Sequence, residues 1–255
     1  MLILLSPSKT LRPAPPSTSE LIDEMTTAMG LREAVDIMAS LKTWTESEVR
    51  HQMKLSDKLA SRVQDWHRSW SAKSPFAAGS TFQGDAFKSL DFGSLPTPTA
   101  REAQRRLRII HGVYGLLRPL DEYAPVRLEM GQPWCHSAVH KTMAAFWKHR
   151  LPALLDRALI ESNESFILNL ASREYSDVAL YGRHPTSVIT CSFLEKKNGD
   201  LKSISSFSKT ARGAMARFVL IHGISQASEL HHFAELGYKC DASRSSSNEK
   251  IFVRT

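Results

Sequence analysis

The chain has 255 residues, 42% of them hydrophobic and 23% charged, a balance that excludes disordered, fibrous and membrane-embedded classes and fits an ordinary globular protein. That length suffices for one large domain or two small ones with a substantial core. Basic residues exceed acidic ones, giving a net charge of +7 that favours anionic partners without choosing among them.

MLILLSPSKT, residues 1–10, starts apolar but has no basic segment before it and no apolar span long enough for export or a membrane, so it reads as the first β-strand of a cytoplasmic protein. A Pro- and Ser-rich loop follows at 12–19, where Ser17 and Ser19 offer N-caps to a helix beginning near Glu20. Gly30 interrupts the apolar pattern, which resumes at Leu31, Ala34, Val35, Met38 and Leu41. Thr45 and Glu48 have capping-box spacing, and Val49, Met53, Leu59, Val63, Trp66 and Trp70 keep a helical stripe, so residues 20–70 read as helical with a break near Ser56.

Residues 71–98 are rich in Gly, Pro and Ser and read as irregular, with a short strand or turn at FQGDAF. Thr99 and Glu102 form another capping box, opening a helix whose apolar face is Ala103, Leu107, Ile110 and Val113. That helix runs into HGVYGLLRPLDEYAPVRLEMG, residues 111–131. A further helix over 137–160 bends near Pro152. FILNL (166–170), SVITCSFL (187–194), LKSISSF (201–207) and KIFVR (250–254) read as strands, the second and third joined by a hairpin at Asn198 and Gly199. The fold class is therefore mixed α/β (α+β): a single domain over residues 1–255, with a mixed sheet flanked by helices.

Cys135, Cys191 and Cys240 are odd in number and far apart, which speaks against a disulfide framework or a cysteine zinc site and for reduced thiols. SPSKT ends like a phosphate-binding loop but lacks the glycines that wrap a triphosphate. His136 and His140 would share a helix face beside Cys135, yet no further ligand stands at metal-site spacing. Neither a GxSxG, an HExxH nor a GxGxxG motif is present, and the sequence calls for no cofactor and no metal. Charge is concentrated in two clusters, Arg101 to Arg118 and Lys209 to Arg217, which form one surface only if the fold joins them.

Within residues 111–131, Gly112 and Gly115 suit a hairpin between helices that lets a phosphate reach backbone N–H groups, with Arg118 and Arg127 supplying charge. This is the logic of a helix-hairpin-helix, which grips DNA by its backbone, although Val113 and Tyr114 make the span between the glycines one residue longer than usual. Asp121 and Glu129 would repel phosphate there unless Arg118 and Arg127 pair with them.

SPSKT, LSDKLA (55–60), FQGDAF (82–87), residues 111–131, LNLASREY (168–175), SKTARGAMARF (208–218) and SSSN (245–248) occur in the order of the peroxide stress protein YaaA family, which the chain resembles over nearly its whole length. The resemblance implies a cytoplasmic bacterial protein that limits oxidative damage, affects free iron and binds double-stranded or branched DNA. It also implies a family-specific fold with a basic cleft and a helix-hairpin-helix-like element, and a monomer with no membrane partner is expected. The expected DNA contacts are Lys9, Lys58, Gly112, Gly115, Arg118, Arg127, Lys209, Arg212 and Arg217. Ser6, Thr10, Asp85, Asp121, Glu129, Asn169, Ser172 and Tyr175 are candidates for a polar pocket, and no residue is assigned a catalytic role. Phe87, His111 and Val126 depart from the family pattern, which has Tyr, Ser and Tyr there. Two functions compete: a non-enzymatic DNA-binding protein of the peroxide response, and an enzyme acting on a small anionic or nucleobase-like substrate.

Overall fold

The computed structural model describes residues 1–133, 140–183, 188–197 and 199–254. Its centre is β1 (Leu2–Leu5), every residue of which is buried. A strand apolar on both faces is suited to the middle of a parallel sheet, where both faces are covered. β1 pairs in parallel with β2 (Leu107–His111) on one side and β4 (Ile167–Asn169) on the other. β4 pairs in parallel with β5 (Val188–Lys197), and β5 with β8 (Glu249–Arg254). Antiparallel β3 (Gly115–Leu117) and β7 (Tyr238–Cys240) close the two ends, giving the order β3-β2-β1-β4-β5-β8-β7, with β6 (Asp200–Lys202) folded back on β5. The expected mixed sheet is thus an eight-stranded one.

Between β1 and β2 run α1 (Ser19–Asp23), α2 (Leu31–Leu41), α3 (Glu46–Met53), α4 (Asp57–Ser69), α5 (Ala78–Thr81), α6 (Asp85–Leu90) and α7 (Thr97–Arg106). The Thr45–Glu48 capping box opens α3 as expected, and Ser56, at the expected break, is the N-cap of α4. α6 is a helix where the sequence suggests irregular structure, because Gly84 and the surrounding small residues mask a short amphipathic segment that buries Phe87 and Leu90. After β3 come α8 (Met143–Trp147), α9 (Leu151–Ser162) and α10 (Arg173–Ala179), and α11 (Ser205–Ile221) follows β6. The strand read over 201–207 is therefore only its first residues, and the helix takes over at Ser205. Lys197 and Asp200 pair across the expected hairpin, with Gly199 at φ +88°; Asn198 lies outside the described residues.

The largest correction falls on residues 107–117. α7 ends at Arg106, and Leu107–His111 continues as β2, turning through Gly112–Tyr114 into β3. The apolar spacing that suggests a helix also belongs to a strand buried on both faces, and pairing with β1 decides for the strand. The helix-hairpin-helix expected here is a β-hairpin. Its turn is closed from inside: His111 Nδ1 accepts hydrogen bonds from the backbone N–H groups of Val113 (3.1 Å) and Tyr114 (3.3 Å), and the Gly112 carbonyl accepts one from Trp147 Nε1 (2.8 Å). Both glycines are buried. A side chain at Gly112 would meet the Leu128 carbonyl oxygen at 2.2 Å, and one at Gly115, which has φ +68°, would meet the Trp147 ring. They serve close packing and are shut away from a phosphate backbone.

Candidate functional site

The order of the parallel strands fixes where ligand groups gather. From β1 the chain leaves for β2 on one side, while from β4 it leaves for β5 on the other, so the carboxyl ends of β1 and β4 flank a topological switch point. Ser6 follows β1 and Ser172 follows β4. Ser6 Oγ accepts a hydrogen bond from the Ser172 backbone N–H (2.8 Å) and lies 3.1 Å from Ser172 Oγ, tying the two loops together. A cavity of about 280 Å³ opens at this edge.

Each wall of the cavity comes from one of the sequence blocks. Residues 6–10 supply Ser6, Ser8, Lys9 and Thr10; the start of α6 supplies Asp85 and Phe87; Arg127 and Glu129 come from the loop after β3; Ser172, Glu174 and Tyr175 come from the start of α10; and α11 supplies Lys209 and Arg212. α6 and α11 are pressed together at Gly213, where a Cβ would stand 1.9 Å from the Ala86 carbonyl oxygen, and Gly84 lets Ser8 approach. His111, at the end of β2, and Val126 complete the lining, so all three departures from the family pattern, Phe87, His111 and Val126, fall in this one cavity. Sequence reasoning does not single out Ser8 or Glu174 as site residues, although both lie inside blocks it quotes.

The electrostatics are balanced rather than uniformly positive. Glu129 lies between Lys9 Nζ (2.5 Å) and Arg127 Nη2 (2.9 Å). Burial pushes the Glu129 carboxyl up, but hydrogen bonds and charge from Lys9 and Arg127 outweigh it and leave the pKa below the ordinary value. Glu174 accepts the backbone N–H of Gly131 at 3.0 Å. Burial pushes the Tyr175 phenol well above its usual range, so it stays protonated. His111, fully enclosed, is depressed to about 3 by burial and is neutral. With Nδ1 accepting from the turn, its Nε2–H donates to Tyr123 Oη (3.2 Å), which donates to the Val126 carbonyl (3.0 Å).

Other expected site residues lie elsewhere. Asp121 is completely buried; its Oδ1 accepts from Thr26 Oγ1 (2.6 Å) and Arg118 Nε (3.0 Å), and its Oδ2 from the Arg118 backbone N–H (2.7 Å). The anticipated pairing of Arg118 with Asp121 thus forms, as a clamp on the loop after β3. Asp121→Ala is expected to destabilise the fold by roughly 2 to 3 kcal/mol, visible as a lower urea midpoint, since it strands Arg118 and Thr26. Arg217 Nη1 caps the end of α6 at the Leu90 (2.8 Å) and Asp91 (3.0 Å) carbonyls. Asn169 holds the Ala171 N–H (3.0 Å) and Thr190 (3.3 Å), and Lys58 stands exposed at the start of α4, away from the cavity lining.

The first basic cluster does not join the second on one free surface. Arg101 pairs with Glu20 and Glu24, and Arg105 with Glu102 and Glu164. Arg106 and Arg108 are buried, Arg106 against the Met1 and Ile224 carbonyls and Arg108 against those of Gln104, Arg105 and Leu107. Burial lowers Arg108 to about 10.

Among the described residues no group of three or more His, Cys, Asp or Glu side chains is placed to hold a metal; Cys135 and His136 lie outside them. Cys191 and Cys240 are unpaired, and burial pushes the Cys191 thiol far up, away from the thiolate that peroxide chemistry needs. No helix among the described residues is long and apolar enough to cross a membrane.

The sequence profile described as peroxide stress protein YaaA matches residues 1–244. The chain belongs to the peroxide stress protein YaaA family. YaaA-family relatives include UPF0246 proteins of Ruegeria sp. (37% identical, covering all of both chains) and Shewanella loihica (35% identical, covering 100% of this chain and 98% of the relative). A UPF0246 protein of Janthinobacterium sp. is 35% identical over 99% of this chain and 97% of its own. Membership of this family supports a role in the oxidative-stress response.

Proposed function

We propose that the chain serves the oxidative-stress response by binding, and acting on, a small anionic or nucleobase-like molecule in the cavity at the carboxyl edge of the sheet. The observation that carries this reading is convergence: five blocks far apart in sequence, at 6–10, 84–87, 127–129, 172–175 and 209–212, line one cavity at a topological switch point. Its size, about 280 Å³, falls at the small end of ligand pockets and suits a metabolite. The small-molecule fraction of a bacterial extract, followed by native mass spectrometry of the purified protein, tests it. A bound mass lost on changing Glu129 or Arg212 is expected, and a protein that stays free of any ligand contradicts the reading.

DNA contact is the second reading, favoured by the net charge of +7 and by Lys9 and Lys209 standing exposed at the cavity mouth. A duplex, whose major groove alone is about 12 Å wide, would lie across the mouth and leave the cavity to something smaller. Its signature is sequence-independent affinity for a short duplex that falls steeply between 50 and 200 mM salt; an affinity indifferent to salt counts against it.

A further inference from the structure

The charges in the cavity wall divide into two groups. Lys9 and Arg127 are both engaged by Glu129, and Glu174 is held by a backbone N–H. Asp85, Lys209 and Arg212 line the same space, yet no ion pair or hydrogen bond engages any of their side chains among the described residues. Arg212 is the most telling. Its Nε is shut off from solvent with no acceptor, and burial holds the guanidinium below its ordinary pKa. A donor in that position costs the full loss of its hydration, and a fold that needed only the side chain's bulk would be better served by an apolar residue.

Asp85 does not relieve it, although both face one cavity. α6, which carries Asp85, and α11, which carries Lys209 and Arg212, are pressed together where Gly213 meets the Ala86 carbonyl, yet no ion pair or hydrogen bond joins the Asp85 and Arg212 side chains. Phe87, Val126 and Leu170 add apolar surface to the same cavity.

We infer that the cavity takes a nucleoside monophosphate: its phosphate held by Arg212 with Lys209, the N–H edge of its base held by Asp85, and its flat ring against the apolar wall at Phe87. The inference rests on the small-molecule reading above and specifies its ligand. Arg212 and Asp85 are then the residues that set specificity, Arg212 for the anion and Asp85 for the base edge.

Calorimetric titration of the whole protein with AMP, GMP, CMP and UMP, their nucleosides and inorganic phosphate tests it. At least one monophosphate should bind, tenfold or more tighter than both its nucleoside and inorganic phosphate. Arg212→Met should remove that preference while raising the melting temperature of the ligand-free protein by about 2 to 4 °C, since it deletes a buried N–H donor that has no acceptor. Arg212→Lys, which keeps a cation, should retain weakened binding, and Asp85→Asn should lose the preference among bases with phosphate affinity unchanged. Three results overturn the inference: nucleosides binding as well as their monophosphates, inorganic phosphate binding as well as every nucleotide, or Arg212→Met lowering the melting temperature with affinity intact. Failure of all the nucleotides beside a bound mass from the extract refutes the ligand class alone; failure of both refutes the pocket as well.

Discussion

Gly213→Ala is expected to destabilise the protein by roughly 2 to 3 kcal/mol, although alanine is the better helix former. Gly213 lies inside α11, where helix propensity alone predicts a gain of about 1 kcal/mol for alanine. The added methyl would stand 1.9 Å from the Ala86 carbonyl oxygen, and backbone cannot give way as a flexible side chain would. Relieving that overlap means driving α6 away from α11, which outweighs the propensity gain. The same shift moves Asp85 relative to Arg212, so a loss of ligand binding should accompany the loss of stability. Urea unfolding checks the first effect; a variant more stable than the parent would show that the two helices are not pressed together at this point.

Acidification from pH 7 to pH 5 is expected to remove several kcal/mol of stability. Burial, opposed only in part by the hydrogen bond to the Arg127 carbonyl (3.3 Å), depresses His67 to about 4, and burial depresses His111 to about 3. Both are neutral in the folded protein, whereas in the unfolded chain they take up protons near 6.5. Between those limits the unfolded state binds more protons, so stability rises with pH and falls as pH drops below 6.5. Each histidine contributes about 1.4 kcal/mol per pH unit in that window, or roughly 2 kcal/mol apiece by pH 5. Free carboxylates take up protons near about pH 4, below this window, so the loss reports mainly the histidines. His67 joins α4 to Arg127 and His111 braces the β2–β3 turn, both beside the cavity, and binding should weaken together with stability. A melting temperature flat from pH 7 to pH 5, or His67 and His111 imidazole resonances that titrate near 6.5 in the folded protein, would contradict it.

These effects depend on features that the sequence displays unevenly. The capping box at Thr45 and Glu48, the run Leu2–Leu5 and the hairpin at Gly199 are local signals, set by neighbours within a few residues, and the structure contains each of them. The hairpin of β2 and β3 was not legible, because Leu107–His111 carries a spacing that suits a helix and a buried strand alike; only its pairing with β1, a hundred residues away, decides. α6 hides among Gly, Pro and Ser, and its stability comes from α11 through Gly213.

The blocks marked most of the cavity wall, Ser6, Lys9, Thr10, Asp85, Arg127, Glu129, Ser172, Tyr175, Lys209 and Arg212, but nothing in their spacing shows that they meet. The same blocks also contain Asp121, Asn169 and Arg217, whose hydrogen bonds brace loops, strands and a helix end away from the cavity. A polar residue in a motif reads identically whether it faces a ligand or a backbone carbonyl. Basic residues mislead in the same way: Arg106 and Arg108 look like a surface patch and are interior donors.

Hydrogen exchange of the whole protein, free and saturated with whatever the cavity binds, tests most directly whether one small-ligand site assembles these distant blocks. Added protection confined to residues 6–10, 84–87, 127–131, 172–175 and 209–212 is the expected result. Protection spread over the exposed faces of α3 and α4, with none in those five segments, would contradict it.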